Sequence, residues 1–562
     1  MFSLPGASFL FFLLTLSVLA LTRTYYKHNL KYTRKIRGPP RPSLLLGSSH
    51  PLHISLSTFM LTEGIGHEWI MRNQENFGEL EMKWIQEYGA VFRVGGCFGQ
   101  DVLMLSDPKA LKYVLQSGYR FPKSPDVDHF AAAFLGPGVV TAADAAHQRQ
   151  RKIMNPAFSA SQLRQALPLF QSLTSKLINK LKHEIQVGND AAGRVVNVIS
   201  WTRKVALDII AAFRYHFNAL DDGASELREA LHNVFIESHA SPSRLELLYI
   251  SLWRIGIPKL ALKILELITS RSQARVLRFK NYSYRIASEI LQKQLKVVEN
   301  EIDTADKDIV NLLALSYLAE DPDKRMSVDE IYSQLATFTI GGHDTTATTV
   351  AWILYGLSLH PFIQNQIREE ISQRREHCQG DLDADDYNSL SLLNAVIKET
   401  LRLHPFVSTL LRVASQDSVV PLSEPITTSD DSVVWDIPIL KGQAFVLSLY
   451  AYNRLPSVWG DDADKWNPER FLHPTGIKET NLGTYANLMT FGAGVRSCIG
   501  WKYAVMEMQV LVAELLSTFE FSPSEEGLEL QHMHGWQIIT PVVKGRVHEG
   551  EQVPLRVALV KE

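Results

Sequence analysis

One cysteine of this chain stands in a setting suited to holding a metal. In Phe491-Gly492-Ala493-Gly494-Val495-Arg496-Ser497-Cys498-Ile499-Gly500 the thiol lies between glycines, just ahead of an apolar helix expected to begin near Trp501 or Lys502. Gly492 and Gly494 tolerate backbone angles that a Cβ forbids, so the loop can fold closely around sulfur and turn amide N–H groups toward it. The start of a helix carries roughly half a positive charge, and that field, the amides and a bound metal all favour thiolate over thiol. The competing reading is a buried, inert cysteine, the usual fate of a lone thiol in a reducing compartment. The flanking glycines, with Phe491 and Arg496, favour the ligand.

Three further groupings carry possible chemistry. Ile340-Gly341-Gly342-His343-Asp344-Thr345-Thr346 interrupts an otherwise long amphipathic helix with two glycines and two hydroxyls, all poor helix residues. Either a hydroxyl bonds to a preceding carbonyl and loosens the ladder, making room for a water, or a new helix starts at Thr345 with Asp344 as its cap. In Lys398-Glu399-Thr400-Leu401-Arg402 the carboxylate and guanidinium share one helix face. As a surface pair they would contribute only about 0.3 kcal/mol. His147 and Arg151 precede another apolar helix.

The cysteine segment resembles the haem-binding loop of the cytochrome P-450 superfamily, Phe-x-x-Gly-x-Arg-x-Cys-x-Gly, at every specified position. The resemblance extends over essentially the whole chain after its first residues, and the pattern is most like fungal microsomal members. It implies haem b, iron protoporphyrin IX, with Cys498 as axial metal ligand donating electron density to iron. Phe491, Gly492, Gly494 and Gly500 would shape the loop, and Arg496 would bind a propionate. Gly341 to Thr346 matches the family's oxygen-activating motif, which implies that Thr345 steadies dioxygen and Asp344 feeds it protons. Glu399 and Arg402, followed by Leu403-His404-Pro405, match its helix signature. Pro468-Glu469-Arg470-Phe471 matches the partner motif, implying a buried Glu399, Arg402 and Arg470 network whose loss abolishes haem incorporation. His147-x-x-x-Arg151 departs from the family's Trp-x-x-x-Arg propionate clamp at its first residue, and Arg412 fits a third propionate contact.

These groups need a large scaffold, and 562 residues, 46% hydrophobic with a formal net charge of -3, provide one. The balance lacks the basic footprint of phosphate-backbone binding, so no nucleic-acid partner is expected. Cys97, Cys378 and Cys498 are too few for a disulfide framework or an all-cysteine iron-sulfur cluster. Helical spacing dominates in Leu163 to Leu181, Leu245 to Leu267, Ile286 to Val298, Ile331 to Leu359 and Tyr503 to Phe519. Short β-rich runs occur at Ala90 to Val94, Val102 to Leu105, Val433 to Leu449 with a turn at Lys441-Gly442, and Val553 to Val560. The expected fold is mainly α (α+β), a large helical domain with a smaller β-rich lobe. By the resemblance, haem sits between a long central helix and the cysteine loop with its following helix.

Residues 1–22 are apolar enough to span a membrane, and the basic residues follow rather than precede them. The expectation is a transmembrane signal-anchor at 1–22, a basic and proline-rich linker at 23–50 and a monooxygenase domain at 51–562. The positive-inside bias then gives a single pass in the endoplasmic reticulum membrane with the catalytic domain cytosolic.

No dinucleotide fingerprint follows a predicted strand, so electrons must come from outside. The resemblance implies a separate NADPH-dependent cytochrome P-450 reductase docking near Lys502 or Lys152, with cytochrome b5 as a further partner. The implied reaction inserts one oxygen atom of O2 into a C–H or C=C bond of a lipophilic molecule, a terpenoid or other secondary-metabolite intermediate. Phe130, Phe134, Phe338, Gly341, Val407, Leu410 and Ile538 are the substrate-facing candidates, mostly apolar. Two other classes remain open: a haem-thiolate isomerase or dehydratase that does not use O2, which the Asp344 and Thr345 pair argues against, and a non-catalytic haem-binding protein.

Overall fold

The computed structural model describes residues 32–40, 66–96, 100–187, 193–211, 218–223, 250, 253–254, 271–300, 308–378, 380–535 and 537–560. Long helices make up most of these: Ala160–Val187, Val198–Ala211, Arg271–Asn300, the central helix Val328–Leu359, Pro361–Cys378, Ser391–Leu403 and the cysteine helix Trp501–Thr518. The expected run Leu245 to Leu267 lies almost entirely outside the described residues.

The central helix starts at a reciprocal cap. Ser327 Oγ accepts from the Glu330 N–H, and Glu330 reaches back to the Ser327 N–H at 2.9 Å. From there it runs unbroken to Leu359, so the expected interruption at Gly341-Gly342 does not occur. The glycines have another use. A Cβ on Gly342 would collide with Ile210, so its absence lets the helix Val198–Ala211 pack closely, whereas a Cβ on Gly341 would meet nothing. The cysteine helix buries Val510, Leu511, Val512, Leu515 and Leu516 beside the helices Ala160–Val187 and Val328–Leu359. One large apolar core joins them.

The strands are β1 (Val91–Gly95), β2 (Asp101–Leu105), β3 (Arg194–Asn197), β4 (Thr409–Val413), β5 (Ser418–Thr427), β6 (Val433–Ile439), β7 (Ala444–Ser448), β8 (Phe519–Pro523), β9 (Leu530–Gly535), β10 (Ile538–Val543) and β11 (Pro554–Leu559). They form a four-stranded sheet ordered β1-β2-β7-β4, a three-stranded sheet β3-β11-β8 and two two-stranded ladders. The run Val433 to Leu449 does turn at Gly442, but its halves part there. β6 pairs with β5, while β7 joins β2 in parallel and β4 antiparallel. Residues 32–40 pack on this lobe: Ile36 is buried and bridges Thr428, and the Arg93 N–H donates to the Arg37 carbonyl at 2.9 Å.

The membrane span is corrected. Among the described residues no helix is long and apolar enough to cross a membrane. The long helices carry charge within their length, such as Asp344 in the central helix and Glu507 in the cysteine helix. Residues 1–22, on which the expectation rested, lie outside the described residues, and the inferred endoplasmic-reticulum membrane location falls with it.

Candidate active site

The cysteine loop closes on itself. The Cys498 N–H donates to the Phe491 carbonyl at 2.8 Å, and the Ser497 N–H bonds to the Gly494 carbonyl at 3.1 Å. Gly492 and Gly494 both take positive φ, +68° and +70°, and a Cβ on Gly494 would run into the Leu115 carbonyl. Both glycines are thus required by the backbone path. Cys498 keeps accessible surface although protein encloses it, and it carries no disulfide. Burial pushes its thiol pKa up, against the Gly500 amide and Arg151, which pull it down. The Gly500 amide and Arg151 act in the direction expected of the loop, and a bound metal, included in that expectation, would add to their pull against burial.

Beside the loop, basic side chains from four segments gather. Arg151 donates to the Ser497 carbonyl at 2.6 Å, and Arg496 to the Ala142 carbonyl at 2.8 Å. His147, on the helix Asp144–Met154, is buried, with Nδ1 2.7 Å from the Tyr119 hydroxyl; Arg496 lies 5.4 Å from the same tyrosine ring. Arg412 on β4 is buried and bridges Lys123 across an antiparallel pair.

Burial and the neighbouring Arg496 push Lys123 down to about 7 and Arg412 to about 10. Burial, then Arg496, Arg151 and Lys123, push His147 down to about 4, so its ring is neutral at pH 7. Asp128 also faces the group, and burial holds its own carboxyl above the usual range. Such crowding of shielded cations is unfavourable until an anion joins them. Lys123 and Tyr119 were not foreseen, because nothing in Phe121-Pro122-Lys123 marks them before β4 is brought alongside.

On the central helix, Thr345 Oγ1 donates to the Gly341 carbonyl at 2.7 Å, the back-bond expected of a hydroxyl at that place. Phe338, Gly341 and Thr345 follow at helical spacing on one face, and Gly341 and Thr345 retain accessible surface. Asp344 is buried on an adjacent face, its Oδ1 2.8 Å from Arg203 Nε. It caps no helix.

Glu399, Arg402 and Arg470 come together. Arg402 grips Glu399 with two bonds of 2.8 Å and donates to the Asn453, Ala463 and Lys465 carbonyls. Arg470 Nε lies 3.5 Å from Glu399, and the Asn467 N–H donates to Glu399 at 2.8 Å. Both members of the first pair are fully buried.

The remaining candidates divide. Val407 and Ile538 face each other across an isolated bridge, and Leu410 on β4 is half-buried. Phe130 stays half-buried, whereas Phe134 is buried against Phe279 at 4.8 Å as part of a packed apolar cluster. Phe338 packs on Phe158 at 5.7 Å.

Haem fits these residues. A single thiol flanked by glycine turns would offer the iron one protein ligand, and among the described residues no cluster of three or more His, Cys, Asp or Glu side chains could hold a metal on its own. The crowded Lys123, Arg412, Arg496, Arg151 and His147 group suits two propionates.

The cytochrome P-450 family profile matches residues 65–548. The chain is 33% identical over 489 residues to cytochrome P-450 monooxygenase 91 of Postia placenta, covering 85% of this chain and 88% of the relative. It is 34% identical over 458 residues to the ganoderic acid synthetase of Ganoderma lucidum, covering 78% and 82%. A cytochrome P-450 monooxygenase of Hericium erinaceus is 28% identical over 543 residues, covering 92% of each chain. Membership implies a haem b cofactor, NADPH-linked electron supply through a reductase, and a small-molecule substrate oxidised with O2. The protein belongs to the cytochrome P-450 family and is a haem-dependent monooxygenase acting on a small lipophilic molecule.

Proposed function

We propose that Cys498 would hold the haem iron, that Lys123, His147, Arg151, Arg412 and Arg496 would hold its propionates, and that Thr345 and Asp344 handle protons beside the open space at Gly341. The observation that carries this reading is the cysteine loop bent by two positive-φ glycines beside a crowded, anion-seeking basic group. Haem, when bound, supplies dioxygen activation and transfer of one oxygen atom to substrate, the other leaving as water.

The chain's own residues supply the rest. Phe491 and Gly500 close the loop around sulfur. His147 is neutral, and in the tautomer whose Nδ1 accepts from the Tyr119 hydroxyl its Nε2–H is the nitrogen that would donate toward a propionate. Thr345 holds its hydroxyl on the Gly341 carbonyl, where Gly341 leaves the space beside it open. The Glu399, Arg402 and Arg470 network fixes the segment 453–470 that leads into the cysteine loop.

Phe130, Phe338, Gly341, Val407, Leu410 and Ile538 remain the proposed substrate-facing residues, and their mostly apolar character favours a lipophilic substrate. One relative is named for making ganoderic acid, and a terpenoid or other secondary-metabolite intermediate is the substrate class proposed here. Lys502 and Lys152 are both exposed and are the proposed contacts for the reductase, with cytochrome b5 able to use the same charges. Co-expression with a reductase and candidate terpenoids, followed by product analysis, tests the reading. NADPH- and O2-dependent addition of one oxygen atom is expected; conversion that needs neither would favour the isomerase class.

A further inference from the structure

His147, on the helix Asp144–Met154, meets Tyr119 through Nδ1, 2.7 Å from the tyrosine hydroxyl, with the two rings edge-on at 78°. Among the described residues this is the imidazole's one hydrogen bond. Tyr119 is brought there by the way its own helix ends. The helix Pro108–Gln116 stops ahead of Gly118, whose φ of +70° turns the chain. The residues just after Tyr119 are then pinned alongside β4: the Ser415 N–H donates to the Arg120 carbonyl at 3.1 Å, and the Val413 N–H to the Pro122 carbonyl at 3.0 Å. His147 is 2% exposed, Tyr119 is half-buried, and both line a cavity of about 500 Å³ together with Arg151.

A neutral imidazole has one N–H and one bare nitrogen, so a partner that fixes the role of either nitrogen fixes both. His147 is neutral because burial and the cations Arg496, Arg151 and Lys123 push its pKa down to about 4. A carboxylate can only accept. The neutral ring can therefore hold one through Nε2 only when Nε2 carries the hydrogen, which leaves Nδ1 as an acceptor whose partner must donate. The hydroxyl at Nδ1 can do so. The opposite tautomer would turn a lone pair toward the carboxylate. The tryptophan that the family carries at this place has an indole N–H that donates whatever lies behind it, whereas a histidine depends on its second partner.

We propose that Tyr119 is a positioning residue for haem: its hydroxyl donates to His147 Nδ1 and so fixes the tautomer in which Nε2–H reaches a propionate. The proposal rests on the reading of His147 as a propionate contact. Tyr119 also lies with its ring beneath the Arg496 guanidinium, at 5.4 Å, a contact that needs the ring and not the hydroxyl. Tyr119→Phe keeps that contact and removes only the donor.

The test uses the haem-loaded full chain as wild type, Tyr119→Phe, whichever of His147→Leu and His147→Met loads haem, and the double variant. Two readouts are taken: the rate at which haem passes to excess apomyoglobin, and the nitrogen NMR spectrum of labelled histidine in the reduced carbon monoxide complex. In that spectrum the His147 signals are those missing from the His147 variant. At about pH 7 the wild type should show Nε2 protonated and Nδ1 bare. Tyr119→Phe should lose haem about tenfold faster, the scale of one hydrogen bond to a charged group, and the His147 variant at least as fast. The double variant should be no faster than the His147 variant alone, because Tyr119 acts through the imidazole. A protonated Nδ1, whether in a neutral ring or an imidazolium, overturns the proposal. So does a full further loss when Tyr119→Phe is added to the His147 variant, and so does wild-type retention in Tyr119→Phe alongside an impaired His147 variant. Wild-type retention in the His147 variant overturns the reading of His147 as a propionate contact itself.

Discussion

Arg402→Lys keeps the charge and removes the geometry, so it isolates what the buried network contributes. Arg402 makes five hydrogen bonds, two to Glu399 and three to the Asn453, Ala463 and Lys465 carbonyls, with no exposure of its side chain. An ammonium has three donors on a single atom and cannot reach acceptors spread around a planar fork, so at least two buried acceptors lose their partner. Each stranded buried acceptor costs about 1–3 kcal/mol, and a disrupted buried pair about 3–5 kcal/mol, so a loss of about 4 kcal/mol is expected. The assay is the urea unfolding midpoint together with haem bound per chain after expression. Arg546→Lys, altering a half-exposed pair with Glu525, serves as the control and should leave both readouts unchanged. An Arg402→Lys protein with wild-type midpoint and full haem content would refute the claim that this network holds the segment under the cysteine loop.

Three further outcomes follow from the same geometry. Thr345→Ala removes the hydroxyl that bonds the Gly341 carbonyl but leaves the cysteine loop intact; it should bind haem normally while peroxide release rises and product per O2 drops, and unchanged coupling would count against the relay. Gly494→Ala puts a Cβ against the Leu115 carbonyl at φ +70°, so haem content should collapse; near-normal content would mean the loop does not need that backbone path. His147, held down to about 4, His532, held down to about 3, and His404, well below its usual value, are kept neutral chiefly by burial, and His404 and His532 lie 2.8 Å apart. Their folded pKa values lie below the unfolded one, so the stability they support is present above about pH 6.5 and is lost as pH falls toward 4. The urea midpoint should drop across that window and the drop should shrink in His532→Gln; a flat profile would contradict it.

What could be read from the sequence was what is local in it. The cysteine loop carries its own instructions, since glycine at 492 and 494 and arginine at 496 sit within seven residues of the sulfur. The Glu399 and Arg402 pair is set by helical spacing, and the central and cysteine helices by apolar periodicity. The break expected at Gly341-Gly342 came from propensity alone; close packing of Ile210 and open space beside Gly341 explain the glycines within a continuous helix. β5 escaped notice because Pro421, Glu424 and Pro425 break the alternation of an edge strand, and its register slips between Pro421 and Ile426. Lys123, Tyr119 and Arg203 had no local signature at all, for each meets its partners only after distant segments pack. The apolar start of the chain suggested a membrane span that no described helix provides.

The most direct measurement is the carbon monoxide spectrum of the reduced, haem-loaded protein, taken for the wild type and for Cys498→Ser. The wild type should give the strongly red-shifted Soret band of a thiolate-ligated haem, and Cys498→Ser should lose that shift together with activity. A wild-type band at the unshifted position, or a shifted band that survives in Cys498→Ser, would contradict the assignment of this sulfur as the axial ligand.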